Sequence, residues 1–225
     1  MRLSLSKFIS RAIRVLKDNL EITENGTYDV SDYANASVNV SGGASEYNAK
    51  MLTDLGTLLQ SSSATIKSFI EETPQIDLNN FSSASFMFSS CRYLKKISLS
   101  NTSRLTTIKN LASDCQRLVT VEQFDTSNVT DMMYAFQSCE NLENFPILNT
   151  SKVAPYYFSN MFQSCSSLSN DSLNNILYMC ANCLGGGNAN QRTLYALGLS
   201  QTQATICQGL SNYNDFLAAG WTTGY

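Results

Sequence analysis

The chain has 225 residues, 43% of them hydrophobic, enough to hold one core with small appendages. Only 15% are charged and the formal net charge is −3, which excludes the basic footprint of a nucleic-acid binder and leaves a surface built mostly of Ser, Thr, Asn and Gln. With no histidine and no carboxylate pair in a positioning motif, the usual acid–base chemistry has no candidates, and the chain is not expected to be an enzyme.

Residues 1–20 carry Arg2, Lys7, Arg11, Arg14 and Lys17 against the single acid Asp18. Leu5, Phe8, Ile9, Ala12, Ile13 and Leu16 recur at helical spacing, which predicts an amphipathic helix. Its cations interrupt any apolar run long enough for a secretory signal. Two roles compete: lying on an anionic membrane surface, or attaching and oligomerising the protein. The seam of Leu5, Ile9, Ala12 and Leu16 favours the second, within a homotrimer or against a partner. The expected assembly residues are Leu5, Phe8, Ile9, Ala12 and Leu16.

Residues 21–43 read as a small β module and glycine linker. Ile22, the Asn25-Gly26 turn signal, the run from Tyr28 to Val30 and the alternating Val38 and Val40 suggest two or three short strands, closed by Gly42-Gly43. Residues 44–170 follow as an N-terminal cap and a repeat array. Met51, Leu52, Leu55, Leu58 and Leu59 predict the capping helix, and ATIKSFI and PQIDL the first strands.

The repeats are marked by Cys91, Cys115, Cys139 and Cys165, at separations of 24, 24 and 26 residues, each followed three positions later by Leu94, Leu118, Leu142 or Leu168. Three before the cysteine stand Phe88, Ala112, Phe136 and Phe162; four before stand Met87, Leu111, Ala135 and Met161; six after stand Ile97, Val121 and Phe145. Such a period predicts an α/β fold, a leucine-rich-repeat-like solenoid whose copies each supply a short strand and a return segment. Copies stacked at about 4.8 Å bring like residues together, so sulfur rows are geometrically open to disulfide or metal chemistry. The simpler reading is a small buried thiol. Seven cysteines is an odd number, and the lone Cys180-x-x-Cys183 pair has neither histidine nor a second pair beside it, so no disulfide, metal or cofactor is expected.

Residues 171–225 predict a helical C-terminal cap. Asp171 or Ser172 is the expected N-cap of a helix over Leu173, Ile176, Leu177 and Cys180. Gly185-Gly186-Gly187 reads as a flexible connection, lacking the Lys-Ser/Thr of a phosphate loop, and Trp221 should pack on the last turn. No run of about 20 apolar residues suggests a membrane span.

The run FDTSNVTDMMYAFQSCENLENF, Phe124 to Phe145, resembles the BspA-like leucine-rich-repeat family, and Asn149 to Val153 repeats its step in part. LEITENGTYDVSDYANASVNV and LGLSQTQATIC…LAAGWTTGY are similar to segments flanking such repeats in phage and prophage structural proteins. The resemblance implies a virion appendage, a head fibre or tail-associated protein made in the host cytoplasm and bound to other virion proteins through its N-terminal region. The alternative is a bacterial surface or host-interaction adhesin. One row of the sheet, Asp77, Ser98, Glu122 and Pro146, is expected to face outward, joined by Asn101, Asn128, Asn149 and the tyrosines Tyr93, Tyr134, Tyr156 and Tyr157, as a surface for host-cell protein or glycan.

Overall fold

The computed structural model describes residues 2–4, 13–16, 27–29, 37–40 and 75–224. Four short strands, β1 (Arg2–Ser4), β2 (Ile13–Leu16), β3 (Thr27–Asp29) and β4 (Ser37–Val40), form two antiparallel pairs, β1 with β3 and β2 with β4. This corrects the helix expected over residues 1–20, because Ile13 to Leu16 are strand, with Ile13 opposite Val40 and Val15 opposite Val38. So short a run satisfies both periods, and β-branched Ile13 and Val15 suit the pleated one. The expected strands at Tyr28 and at Val38 to Val40 coincide with β3 and β4. Leu5, Phe8, Ile9 and Ala12, the Asn25-Gly26 turn, the helix over Met51 to Leu59 and ATIKSFI lie outside the described residues.

From residue 76 the cysteine-aligned columns turn inward together. Ala84, Ile108, Met132 and Phe158 stand seven before the cysteines, and Leu105, Val129 and Val153 stand fourteen after the first three. All of these are buried, as are the columns three and four before, the cysteines, the leucines three after and the apolar residues six after. Each large apolar side chain so withdrawn contributes roughly 1.5–3 kcal/mol.

Backbone hydrogen bonds join each copy to the next. β5 (Ile76–Asp77) pairs in parallel with β7 (Leu99–Ser100), and β6 (Lys96–Ile97) with β8 (Thr120–Val121), which Asn144 extends through a bridge to Thr120. The longer ladder runs through the return segment. The N–H groups of Ala84, Phe86, Phe88 and Ser90 donate to the carbonyls of Thr107, Lys109, Leu111 and Ser113. Those of Ile108, Asn110, Ala112 and Asp114 donate to Asp131, Met133, Ala135 and Gln137, and those of Met132, Tyr134, Phe136 and Ser138 to Tyr157, Ser159, Met161 and Gln163. The intervening N–H groups of Met87, Ser89 and Cys91 bond three residues back within their own copy. Donors therefore alternate between the neighbouring copy and the local turn, so no buried N–H in this run lacks a partner.

This alternation requires left-handed backbone at fixed points. Phe86, Asn110, Tyr134 and Asn160, five before each cysteine, and Ser90, Asp114, Ser138 and Ser164, one before, all have φ between +53° and +65°. Such a conformation is costly for residues other than glycine, and the ladder bonds hold it. The longer cysteine spacing is absorbed at a 3-10 turn, Pro155–Phe158, which bears Tyr156 and Tyr157.

The last copy is covered by three helices, α1 (Asn170–Ala181), α2 (Gln201–Cys207) and α3 (Tyr213–Ala218). Their side chains satisfy carbonyls that a further copy would otherwise bind. Ser172 Oγ donates to Glu143 O at 2.6 Å, Asn175 Nδ2 to Phe145 O at 2.9 Å, and Gln203 Nε2 to Cys165 O at 2.7 Å. The ladder itself ends on Ala196 and Leu197, which accept from Asn160 and Phe162. Gly198 makes that approach feasible: at φ +88°, an added Cβ would stand 2.6 Å from the Gln163 backbone. The N-cap of α1 is Ser169, accepting from Ser172 N, rather than Asp171 or Ser172; Asp171 sits in the first turn, where its charge complements the helix dipole. The glycine connection is tied rather than free, since Arg192 Nε and Nη2 both donate to Gly186 O. Trp221 is buried against Phe158 and Phe216.

Candidate binding surface

The turn after each strand is built from one recurring triplet. Asn101-Thr102-Ser103, Asp125-Thr126-Ser127 and Asn149-Thr150-Ser151 stand one period apart. Asp125 Oδ1 accepts from Ser127 N at 2.8 Å and Asn149 Oδ1 from Ser151 N at 3.0 Å, closing side-chain turns. The threonines point inward and are buried; Thr126 Oγ1 donates to Asn149 O at 2.9 Å and Thr150 Oγ1 to Met179 O at 2.7 Å. The bond from Ser127 N, then its hydroxyl, holds the Asp125 carboxyl below the usual carboxylate range.

The cysteines form a column of donors. Cys115, Cys139 and Cys165 donate through Sγ to the carbonyls of Phe88, Ala112 and Phe136 at 3.0, 3.1 and 3.0 Å, carbonyls that also accept the N–H of Cys91, Cys115 and Cys139. A thiol is small enough for the column and supplies a weak donor that alanine lacks. All seven cysteines are free, and only Cys183 is partly exposed. Among the described residues, no group of three or more His, Cys, Asp or Glu side chains is placed to hold a metal ion. Burial raises the Cys183 thiol too, so under native conditions a thiol-specific reagent should modify Cys183 slowly but ahead of the six buried thiols, which react only at the rate of unfolding; a column cysteine reacting before Cys183 would contradict this placement.

Burial raises the pKa values of Cys115, Cys139 and Cys180, and pushes Cys207 up to about 12. A raised thiol favours the folded state fully below its ordinary value of 9.0, and that contribution is lost as pH climbs through the folded value. The denaturation midpoint should therefore fall as pH rises from 9.0 toward about 12; a constant midpoint across that window would contradict the burial. Glu122 and Asp125 act in the opposite sense. Their lowered values favour the fold at neutral pH, and that contribution disappears as pH falls below the ordinary carboxylate range.

The expected outward row does not exist as one row. Asp77 pairs with Ser100 rather than Ser98 and is only 6% exposed; its Oδ1 accepts from Asn79 N and Asn101 Nδ2. Ser98 is also buried. It donates to Glu122, whose carboxyl is lowered first by its hydrogen bond with Lys96 and then by Ser98. Asn128 is exposed but occupied, donating to Ser103 O and accepting from Lys152 Nζ. Tyr134 is half-buried in left-handed backbone, and Tyr93 lies under the Arg117 guanidinium, 4.5 Å from its ring centroid. The structure does bring together Tyr156 and Tyr157, 49% and 40% exposed, with rings edge to face at 5.4 Å.

Two ion pairs along this surface join neighbouring copies. Arg92 Nε and Nη2 both reach Asp114 Oδ2 at 2.9 Å, and Lys96 pairs with Glu122. A separate open groove of about 350 Å³ lies between the last turn and α1, lined by Gln123, Ile147, Leu148, Asn149, Thr150, Ser151, Tyr178 and Asn182. Sequence reading reached only Asn149 among these. The signal available was that Gln123 and Ile147 share one column a period apart; placing Tyr178 beside them required the helix.

Residues 82–180 match a family model described as a Mycoplasma protein of unknown function, DUF285, whose members contain BspA-like repeats. The match spans the cysteine copies and most of α1. No curated protein and no solved structure matches the chain.

Proposed function

We propose that the protein is a non-enzymatic virion appendage, a head fibre or tail-associated protein, whose leucine-rich-repeat-like solenoid displays a surface for adhesion to host-cell protein or glycan. The observation that carries this reading is the combination of a continuous backbone ladder with outward charges that pair between copies, Arg92 with Asp114 and Lys96 with Glu122. A rigid face built mostly of Ser, Thr, Asn and Gln offers hydroxyls, amides and tyrosine rings. Residues 1–43 would attach the protein to other virion proteins and assemble it as a homotrimer, converting weak single contacts into avidity. The flanking resemblance to phage and prophage structural proteins supports the virion setting.

A second reading, a bacterial surface or host-interaction adhesin, draws on the matched family, which is described from a cellular organism. Among the described residues no helix is long and apolar enough to cross a membrane, so this reading uses the N-terminal segment as its contact with the cell surface. Light scattering on the full chain and on a chain lacking residues 1–43 separates the two. A stable trimer that becomes monomeric on truncation supports the appendage. A full-length monomer that floats with anionic phosphatidylserine vesicles overturns it in favour of the adhesin.

A further inference from the structure

The groove between the last turn and α1 differs from the rest of the surface in what it lacks. None of its eight lining residues is charged, yet it is not an apolar slot. Ile147 and Tyr178 are 37% and 43% exposed and give it an aliphatic patch and an aromatic ring. Around them stand Gln123, Asn149, Ser151 and Asn182, which bring amides and a hydroxyl. The Gln123 amide and the Tyr178 hydroxyl make no hydrogen bond among the described residues, while Asn149 uses its Oδ1 on Ser151 and Asn182 its Nδ2 on Tyr178 O, leaving the other end of each amide toward solvent.

The walls are fixed before any ligand arrives. Thr150 Oγ1 ties the turn to Met179 O, Asn175 Nδ2 ties α1 to Phe145 O, and Thr126 Oγ1 holds Asn149 from the preceding copy. A site preorganised in this way loses little entropy on binding. Its volume lies at the lower end of the range for small-ligand sites, roughly 300–1,000 Å³.

We propose that this groove is a binding site for a neutral oligosaccharide. A sugar ring offers a C–H face that packs on an aromatic ring and a rim of hydroxyls that both donate and accept. Tyr178 and Ile147 match the face; the whole Gln123 amide, the Asn149 Nδ2 donors and the Asn182 Oδ1 acceptor together match the rim. A phosphate, a sulfate or a sialic acid would find no cation in the lining to offset its desolvation. This inference rests on the adhesive reading above and names the ligand class and the place.

The test is calorimetric titration of the full chain with neutral tri- and tetrasaccharides of hexose and N-acetylhexosamine and with their sialylated counterparts, alongside adherence of the full chain to intact bacterial cells. Neutral sugars should bind, and sialylation should not tighten them. Tyr178→Ala should weaken binding at least tenfold and Gln123→Ala severalfold, Tyr178→Trp, which keeps an aromatic face, should recover most of the loss, and Leu217→Ala, exposed on α3 outside the groove, should leave binding within twofold. Because Tyr178 and Gln123 are exposed, the variants should keep the parent unfolding midpoint, which is measured in parallel. Sugar binding unaffected by Tyr178→Ala, or dependent on sialic acid, would overturn the groove assignment and leave adhesion standing. Cell adherence without any sugar binding would overturn the glycan inference alone. Loss of both would overturn the adhesive reading as well.

Discussion

Replacing Phe136 by alanine is expected to destabilise the fold by about 3–5 kcal/mol, the range for deleting a large aromatic from a packed core. The Phe136 side chain is fully buried, edge to face with Phe145 at 5.0 Å and stacked over Phe162 at 6.2 Å, while Phe145 and Phe162 themselves meet at 4.9 Å. Removing this ring breaks two of the three aromatic contacts and opens a void between neighbouring copies. The backbone at this residue stays engaged, since its N–H donates to Met161 O and its carbonyl accepts from Cys139 N and Cys165 Sγ. The loss is therefore one of packing. Urea unfolding of Phe136→Ala and Phe136→Leu measures it: leucine should recover most of the deficit, and an alanine cost below about 1 kcal/mol would contradict the packing described.

Trp221→Ala should cost a similar amount, about 3–5 kcal/mol, through a different consequence. Trp221 is 1% exposed, with ring centroids 6.1 Å from Phe158 and 5.9 Å from Phe216. Phe158 belongs to a repeat column, so Trp221 covers the end of the repeat core and not merely the helices around it. Its removal should expose apolar surface where a further copy would stack. Dye binding to exposed apolar surface and concentration-dependent association should both rise. Cys183, hydrogen-bonded to Trp221 and half-buried, should also react faster with thiol reagents. A variant that keeps the parent's assembly state, with unchanged Cys183 reactivity, would show that Trp221 does not close this end.

The inward columns were legible in the sequence because side-chain burial repeats with the cysteines. The return segment was not, because its alternation of bonding belongs to the backbone. Its left-handed positions carry Phe86 and Tyr134 as readily as Asn110 and Asn160, so no glycine marks them. The register of Asp77, opposite Ser100 rather than Ser98, is hidden in the sequence for a related reason. Ile76-Asp77-Leu78 and Ile97-Ser98-Leu99 share the same apolar spacing, and a slip of two residues keeps every side chain on its face. Hydrogen bonds choose between the registers: Leu78 N donates to Ser100 O, and Asn101 Nδ2 reaches Asp77 Oδ1. The turn at Asn101-Thr102-Ser103 was legible beside those at Asn128 and Asn149, and its buried Thr102 shares a column with Thr126 and Thr150.

Of the candidate surface, sequence alone could name exposed tyrosines such as Tyr156 and Tyr157. It could not show that most of the polar residues among them are spent between copies. Asn128 and Glu122 look like free recognition groups in a linear chain, yet each is bonded to a residue about one period away, Lys152 and Lys96 respectively. Gln123 and Tyr178, whose side chains make no such bond among the described residues, became visible only when α1 was placed against the last turn.

The central claim is that successive copies are interchangeable in register, and deletion tests it most directly. Removing residues 115–138 takes out one full period and joins Asp114 to Cys139, so every inward column and ladder partner is restored; this variant should unfold cooperatively, with a lower midpoint than the parent. Removing residues 115–126, half a period, should abolish cooperative thermal unfolding, because strand residues would meet return-segment residues. If the half-period deletion folds as well as the full-period one, or if the full-period variant shows no cooperative transition, the account is wrong.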